Sequence, residues 1–171
     1  MLFPAVFFII SIMTDCELLF EKAYSIIGGL TPLDGDCGEV CGKNCCKGDG
    51  DTGMLLFPGE STDLEIKRNG PRRLAVCRGE CRRDDRPLSC RIFPFFPTVE
   101  NGEIRVKTDM RGAGVCPLIT HSDMVVFNRR FTEAVREVGI LLLTDPECAL
   151  FLKEITEEIN DAERLVGLFE K

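Results

Sequence analysis

Residues 37–46 read Cys-Gly-Glu-Val-Cys-Gly-Lys-Asn-Cys-Cys, which sets Cys37, Cys41, Cys45 and Cys46 in a C-x3-C-x3-C-C run. The surrounding stretch, residues 31–53, holds six glycines and four aspartates beside those four cysteines. Such a segment cannot bury enough apolar surface to repay the entropy of ordering it. Something other than a hydrophobic face must hold it, and its thiols are suited to that. Further along, Cys77 and Cys81 repeat the x3 spacing, and Cys90 and Cys116 follow singly. The other two cysteines, Cys16 and Cys148, fall on expected helices and read as small buried hydrophobes.

The bulk composition is that of a globular chain: 171 residues, 44% apolar and 29% charged. A net charge of −7 argues against nonspecific binding to nucleic acid or to an anionic membrane. A single histidine excludes most catalytic designs that need several imidazoles. Ten cysteines leave two uses to weigh, disulfides in an oxidising compartment or thiolate ligands in a reducing one. Spacing favours ligands. Zinc and iron–sulfur clusters both want four converging thiolates, and short loops bring them together at little closure cost. Neighbours such as Cys45 and Cys46 rarely bridge each other, but they can serve two sites or two edges of one. Arg72, Arg73, Arg78, Arg82, Arg83, Arg86 and Arg91 crowd the second group. Their charge would offset that of thiolates around a metal.

Working outward, Thr14-x-x-Glu17 has capping-box spacing and starts a helix that Gly28-Gly29 stops; Leu18, Leu19, Ala23 and Ile26 or Ile27 form its apolar face. A hairpin is expected near Asn69-Gly70, and a second at Asn101-Gly102, where Ile104 and Val106 alternate with charged residues. Pro94 and Pro97 predict an extended stretch over residues 91–98, with Pro87 and Pro94 presenting Cys90 and with Phe93, Phe95 and Phe96 as a dry wall. Met124, Phe127, Phe131 and Val138 predict a helix capped by Gly139. Asp145-Pro146 opens a last helix whose Cys148, Leu152, Ile155, Ile159, Ala162, Val166 and Phe169 repeat at 4-3 spacing, read as intramolecular packing. The expected class is small α+β, a cysteine-rich core over 31–117 with short hairpins against about three helices, the helical part being 122–169. One domain is expected over 14–171.

These residues resemble a known family. The C-x3-C-x3-C-C run, Cys77 and Cys81, the element Arg86-Pro-Leu-Ser-Cys90-Arg-Ile-Phe-Pro94, and Cys116-Pro117 are similar to the zinc- or iron-chelating cysteine-cluster domains called CxxCxxCC or YkgJ-like. The likeness spans about residues 37–117, with x3 spacings where the family label has x2. It implies metal chelation through cysteine, and a related cluster occurs in a flagellin lysine methylating enzyme.

The expected function is thus a metal-binding module whose ligands are Cys37, Cys41, Cys45, Cys46, Cys77, Cys81, Cys90 and Cys116, holding one or two zinc ions or an iron–sulfur cluster. Two other classes stay open: an iron–sulfur redox or protein-modifying enzyme, and an adaptor that docks a protein partner through its acidic C-terminal helix. No catalytic residue stands out. A calcium-loop match at Asp49, Asp51 and Glu60 fails at positions 5 and 6 and reads as a solvated turn. His121, before a helix cap at Ser122, reads as a capping or surface group. Met1–Met13 is apolar, too short to span a membrane, and lacks a basic start or small-residue cleavage site. It is read as an extension or tail ahead of a functional start at Met13, with a signal-like or anchoring segment as the alternative, and a cytoplasmic setting is expected.

Overall fold

The computed structural model describes residues 14–47, 50–79 and 81–169, and the stretch Met1–Met13 and Asp49 lie outside them. Helix α1 (Asp15–Ile27) begins at its capping box. Thr14 Oγ1 accepts from the Glu17 N–H at 3.2 Å, and Glu17 Oε2 accepts from the Thr14 N–H at 2.7 Å. Its buried stripe is Leu19, Phe20, Ala23 and Ile27, while Leu18, expected on that face, is exposed.

A three-stranded antiparallel sheet has the order β1 (Gly53–Leu55), β3 (Arg72–Val76), β2 (Ile66–Asn69). The β2–β3 hairpin turns one residue later than expected, at Gly70-Pro71, because Asn69 pairs with Arg72. Strands β4 (Phe95–Glu100) and β5 (Glu103–Thr108) form the second hairpin, with Asn101 and Gly102 at φ 52° and 82° as a type I′ turn requires. Three short helices, α2 (Cys37–Cys41), α3 (Leu88–Ile92) and α4 (Pro117–Thr120), lie between or beside these sheets. Two long ones, α5 (Arg129–Leu142) and α6 (Pro146–Phe169), end the chain. The α+β class therefore holds.

The main core lies where α5 and α6 flank β4 and α1 packs on α5. Phe57 stacks on Phe96 at 6.0 Å and meets Phe151 edge-on at 5.1 Å, and Phe95 meets Phe127 edge-on at 4.8 Å. Cys148, Leu152, Ile155 and Ile159 of α6 are all fully buried here, so that part of the 4-3 repeat packs within the chain. Asp145 caps α6 by accepting from the Cys148 N–H at 2.8 Å. Buried Thr156 accepts from the Val99 N–H at 2.9 Å and donates to the Leu152 carbonyl at 2.6 Å, satisfying an N–H of β4.

Two helix expectations need correction. Asn128 caps α5, accepting from the Phe131 N–H at 3.3 Å, so Met124 and Phe127 precede the helix. Gly139 is interior to α5, and its role is steric: a Cβ there would lie 2.5 Å from Pro97 Cβ and 2.9 Å from Ile104 Cγ2. Alanine has the better helix propensity, yet overpacking against the hairpin wins. Gly139→Ala is expected to destabilise by about 1–3 kcal/mol, read as a lower urea midpoint; a raised midpoint would contradict this packing. The second correction concerns Cys90, which sits in α3 rather than in extended chain. Pro87, at ψ 158°, occupies the N-cap, a position where the extended conformation is required and a missing N–H costs little. Pro94 then bars Phe93 from the helical region, and α3 stops at Ile92.

Candidate metal centre

The eight cysteines of the expected ligand set come from five different places in the fold. Cys37 and Cys41 stand one turn apart on α2, and the Cys41 thiol donates to the Cys37 carbonyl at 3.6 Å. Gly42 and Lys43, both left-handed at φ 59° and 56°, reverse the chain into a 3-10 turn, Asn44–Cys46. The Asn44 side-chain amide donates to the Val115 carbonyl at 3.1 Å, which ties this turn to the segment bearing Cys116. Cys77 follows β3, and its thiol donates to the Cys46 carbonyl at 3.7 Å. Cys81 and Cys90 complete the group from the loop before α3 and from α3 itself.

Two neighbourhoods result. Cys116 is buried with Leu118 and Ile119, and Cys37 and Phe93 pack against that cluster. Cys45, Cys46, Cys77, Cys81 and Cys90 line a cavity of ≈ 50 Å³, walled by Met54, Leu64, Ala75, Pro87 and Phe93. The two meet where Cys45 Sγ and Cys46 Sγ stand 4.0 Å apart.

Burial pushes the Cys37 thiol up to about 11, with Asp36, Cys41 and Cys116 adding repulsion. Burial also raises Cys77, Cys90 and Cys116. Cys46 is held below the usual thiol range by the hydrogen bond from Cys45 and by the charges of Arg86 and Lys43, and Cys45 is raised in turn. These are the shifts of thiols without a metal; a bound cation reverses them by favouring thiolate.

The arginine shell is narrower than expected. Arg86 serves the site: it donates to the Cys81 carbonyl at 3.2 Å, and its charge bears on Cys46, Cys77 and Cys90. Arg83 acts on Cys37. Three others are engaged elsewhere. Arg73 donates to the Phe57 and Glu60 carbonyls, Arg72 pairs with Glu154 and Glu158, and Arg91 lies over the Tyr24 ring at 4.3 Å while donating to the Arg86 and Asp84 carbonyls. The phenylalanine wall is likewise one residue, Phe93, since Phe95 and Phe96 belong to the main core.

Two supports escaped the sequence reading. Glu60, read as part of a solvated turn, is 1% exposed. Its carboxylate accepts from Leu88 N–H at 2.6 Å, Phe57 N–H at 3.0 Å and the Tyr24 hydroxyl, so it caps α3 from a distance and seats Cys90. Asp109, also buried, takes a bidentate grip from Arg111 at 2.7 and 2.8 Å. That pair fixes the turn whose Gly112 carbonyl accepts from the Cys116 N–H at 3.0 Å. A Cβ at Gly112 would lie 2.6 Å from the Phe93 ring, so glycine is needed where this turn passes the wall. No sequence motif marks either support: Glu60 reaches Leu88 across 28 residues, and the local Asp109–Arg111 pair gains its meaning from the turn that bears Cys116.

His121 stands apart, exposed, with Nδ1 near Thr120 Oγ1 and the Pro117 carbonyl, and Ser122 opens a 3-10 turn instead of a helix. A cleft of ≈ 770 Å³ adjoins the thiols through Cys45, Cys77 and Phe93 and is also lined by Arg72, Asp109, Arg111 and Glu158.

Among the described residues, no three His, Cys, Asp or Glu side chains stand in metal-ligand positions as placed. The donor chemistry nonetheless fits zinc or an iron–sulfur cluster: thiols alone, most of them half-buried, with Cys116 buried and Cys45 exposed, beside a cation and an aromatic wall. Among the described residues no helix is long and apolar enough to cross a membrane. Compared with protein families, with characterised proteins and with solved structures, the chain finds no match.

Proposed function

We propose that this chain is a cysteine-thiolate metal-chelating module. The observation that carries the proposal is that Cys45, Cys46, Cys77, Cys81 and Cys90, from three segments of the chain, line one cavity beside Phe93 and Arg86, with Cys37 and Cys116 in the adjoining cluster against which Phe93 also packs. Neutral thiols contribute little to one another, and a segment as glycine-rich as 31–53 has little else to order it. A divalent cation or cluster bound by thiolates accounts for both features. The likeness to the CxxCxxCC family points to the same chemistry.

The test is elemental analysis, with a visible spectrum, of protein purified without oxygen, alongside alkylation of its thiols. Zinc or iron in near-integral amount, with the eight cysteines shielded from iodoacetamide, is the expected result. Metal-free protein in which all eight react would overturn the proposal.

One observation favours a second reading, an iron–sulfur enzyme: the ≈ 770 Å³ cleft beside Cys45 and Cys77 has the size of a ligand site. That reading requires a brown protein with broad visible absorbance. The adaptor reading has less support, since Glu154 and Glu158 already hold Arg72, and Glu163 holds Lys107 at 3.1 Å.

A further inference from the structure

We propose that the eight thiols form two separate four-cysteine centres, divided between the adjacent residues Cys45 and Cys46: Cys37, Cys41, Cys45 and Cys116 in one, and Cys46, Cys77, Cys81 and Cys90 in the other. This assignment rests on the chelating role proposed above and says how the ligands are grouped.

The first centre is drawn together by three links. Helix α2 sets Cys37 and Cys41 at i and i+4, on one face. Cys37 packs against the cluster that buries Cys116. The Asn44–Val115 hydrogen bond then brings the turn carrying Cys45 to the Cys116 segment. The second centre is drawn together by the Cys77 thiol on the Cys46 carbonyl and by the cavity that Cys46, Cys77, Cys81 and Cys90 share. That cavity is ≈ 50 Å³, and about 10–15 Å³ suffices for one water. It therefore has room for a single ion without moving its apolar wall. Phe93 belongs to both neighbourhoods, lining the cavity and packing on the Cys116 cluster.

Cys45 and Cys46 are where the division must be decided. Cys45 borders the cavity as well, and the 4.0 Å between the two sulfurs is close to the roughly 3.8 Å that separates two thiolates on one tetrahedral zinc. A single centre built on both is the competing arrangement. It would leave four of the other six thiols without a metal. The division into two sets uses every thiol and gives each centre the closed, four-sulfur coordination of a structural zinc site.

Zinc-loaded full-length protein, titrated with a chelator and alkylated at each step, separates the cases by peptide mass mapping. The expected result is two zinc ions per chain and loss of protection in two blocks of four, Cys45 reacting with Cys37, Cys41 and Cys116, and Cys46 with Cys77, Cys81 and Cys90. Cys37→Ala with Cys116→Ala should leave one zinc, with Cys46, Cys77, Cys81 and Cys90 still shielded. Cys81→Ala with Cys90→Ala should do the reverse. One ion in the unmodified protein, or Cys45 and Cys46 becoming reactive together as one site, overturns the division while leaving chelation standing. Unmodified protein that holds neither zinc nor iron, as purified or after loading, overturns both. The titration needs no variant, so misfolding of the alanine proteins cannot hide the answer.

Discussion

Stripping the proposed metal with a strong chelator is expected to unfold residues 37–56, 64–87 and 112–121 while α1, α5, α6, the β4–β5 hairpin and the Phe57 and Leu88 anchors of the main core keep their structure. The reason is an imbalance between two parts of the molecule. The helices and the hairpin share the main aromatic and aliphatic cluster, from Leu19 to Ile159. Each large side chain buried there contributes about 1.5–3 kcal/mol. The three-stranded sheet beside the thiols has a small core of its own, Leu56, Leu64 and Ala75, and the Cys116 cluster adds Leu118 and Ile119. Clusters that small cannot offset the ordering cost of a glycine-rich segment. Structural zinc supplies on the order of 10–16 kcal/mol per ion, and its removal therefore selects this half of the fold. Hydrogen exchange read by mass spectrometry should show fast amides through 37–56 and 72–87 and slow ones through 131–159. Unchanged protection in 37–56 after complete metal removal would defeat the expectation. Residues 95–108, within the sequence span that resembles the chelating family, are expected to stay folded because β4 lies between α5 and α6.

The second large effect is expected at Glu60. Its carboxylate, 1% exposed, takes hydrogen bonds from the Leu88 and Phe57 backbones and from Tyr24. Glu60→Ala leaves those donors buried without a partner, at a cost of about 3–5 kcal/mol, enough to remove a large part of an ordinary domain's stability. Glu60→Gln keeps Oε1 for Tyr24 and Leu88 but turns an NH2 toward the Phe57 N–H, and about 1–3 kcal/mol is expected. The two should rank in that order in urea denaturation. A Glu60→Ala protein as stable as the unmodified one would remove Glu60 from its role. The effect also has a pH signature. Burial raises the Glu60 carboxyl despite the lowering by Leu88, Tyr24, Phe57 and Arg73. The folded state therefore holds this proton to higher pH than the unfolded chain does. That contribution is complete below the unfolded glutamate value of about 4.3 and is lost as pH rises through the folded one. The stability advantage over Glu60→Gln should accordingly be larger at pH 4 than at pH 8.

Legibility differed along the chain for physical reasons. Local signals were reliable: the Thr14–Glu17 capping box, the Asn101-Gly102 turn and the Asp145-Pro146 helix start each involve residues that touch within a turn. Proline signals were ambiguous. Pro87 was read as holding Cys90 in extended chain, whereas an extended proline is equally a helix N-cap, and only the packing of Leu88 and Ile92 into the core selects the helix. Gly139 looked like a stop signal, and it is in fact a close-approach position that no single-segment pattern can reveal.

The clustered run at residues 37–46 and its echoes at Cys77, Cys81, Cys90 and Cys116 were enough to set the thiols apart from Cys16 and Cys148, because spacing within a loop limits what short segments can bind. The α+β class and the long helices were legible for a similar reason, since hydrophobic periodicity is a property of contiguous residues. Tertiary structure alone decided which thiols are neighbours, which arginine attends them, and how α3 and the Cys116 turn are anchored. Those matters depend on contacts such as Asn44 with Val115 and Glu60 with Leu88, which join residues 71 and 28 positions apart and so leave no mark in a local pattern.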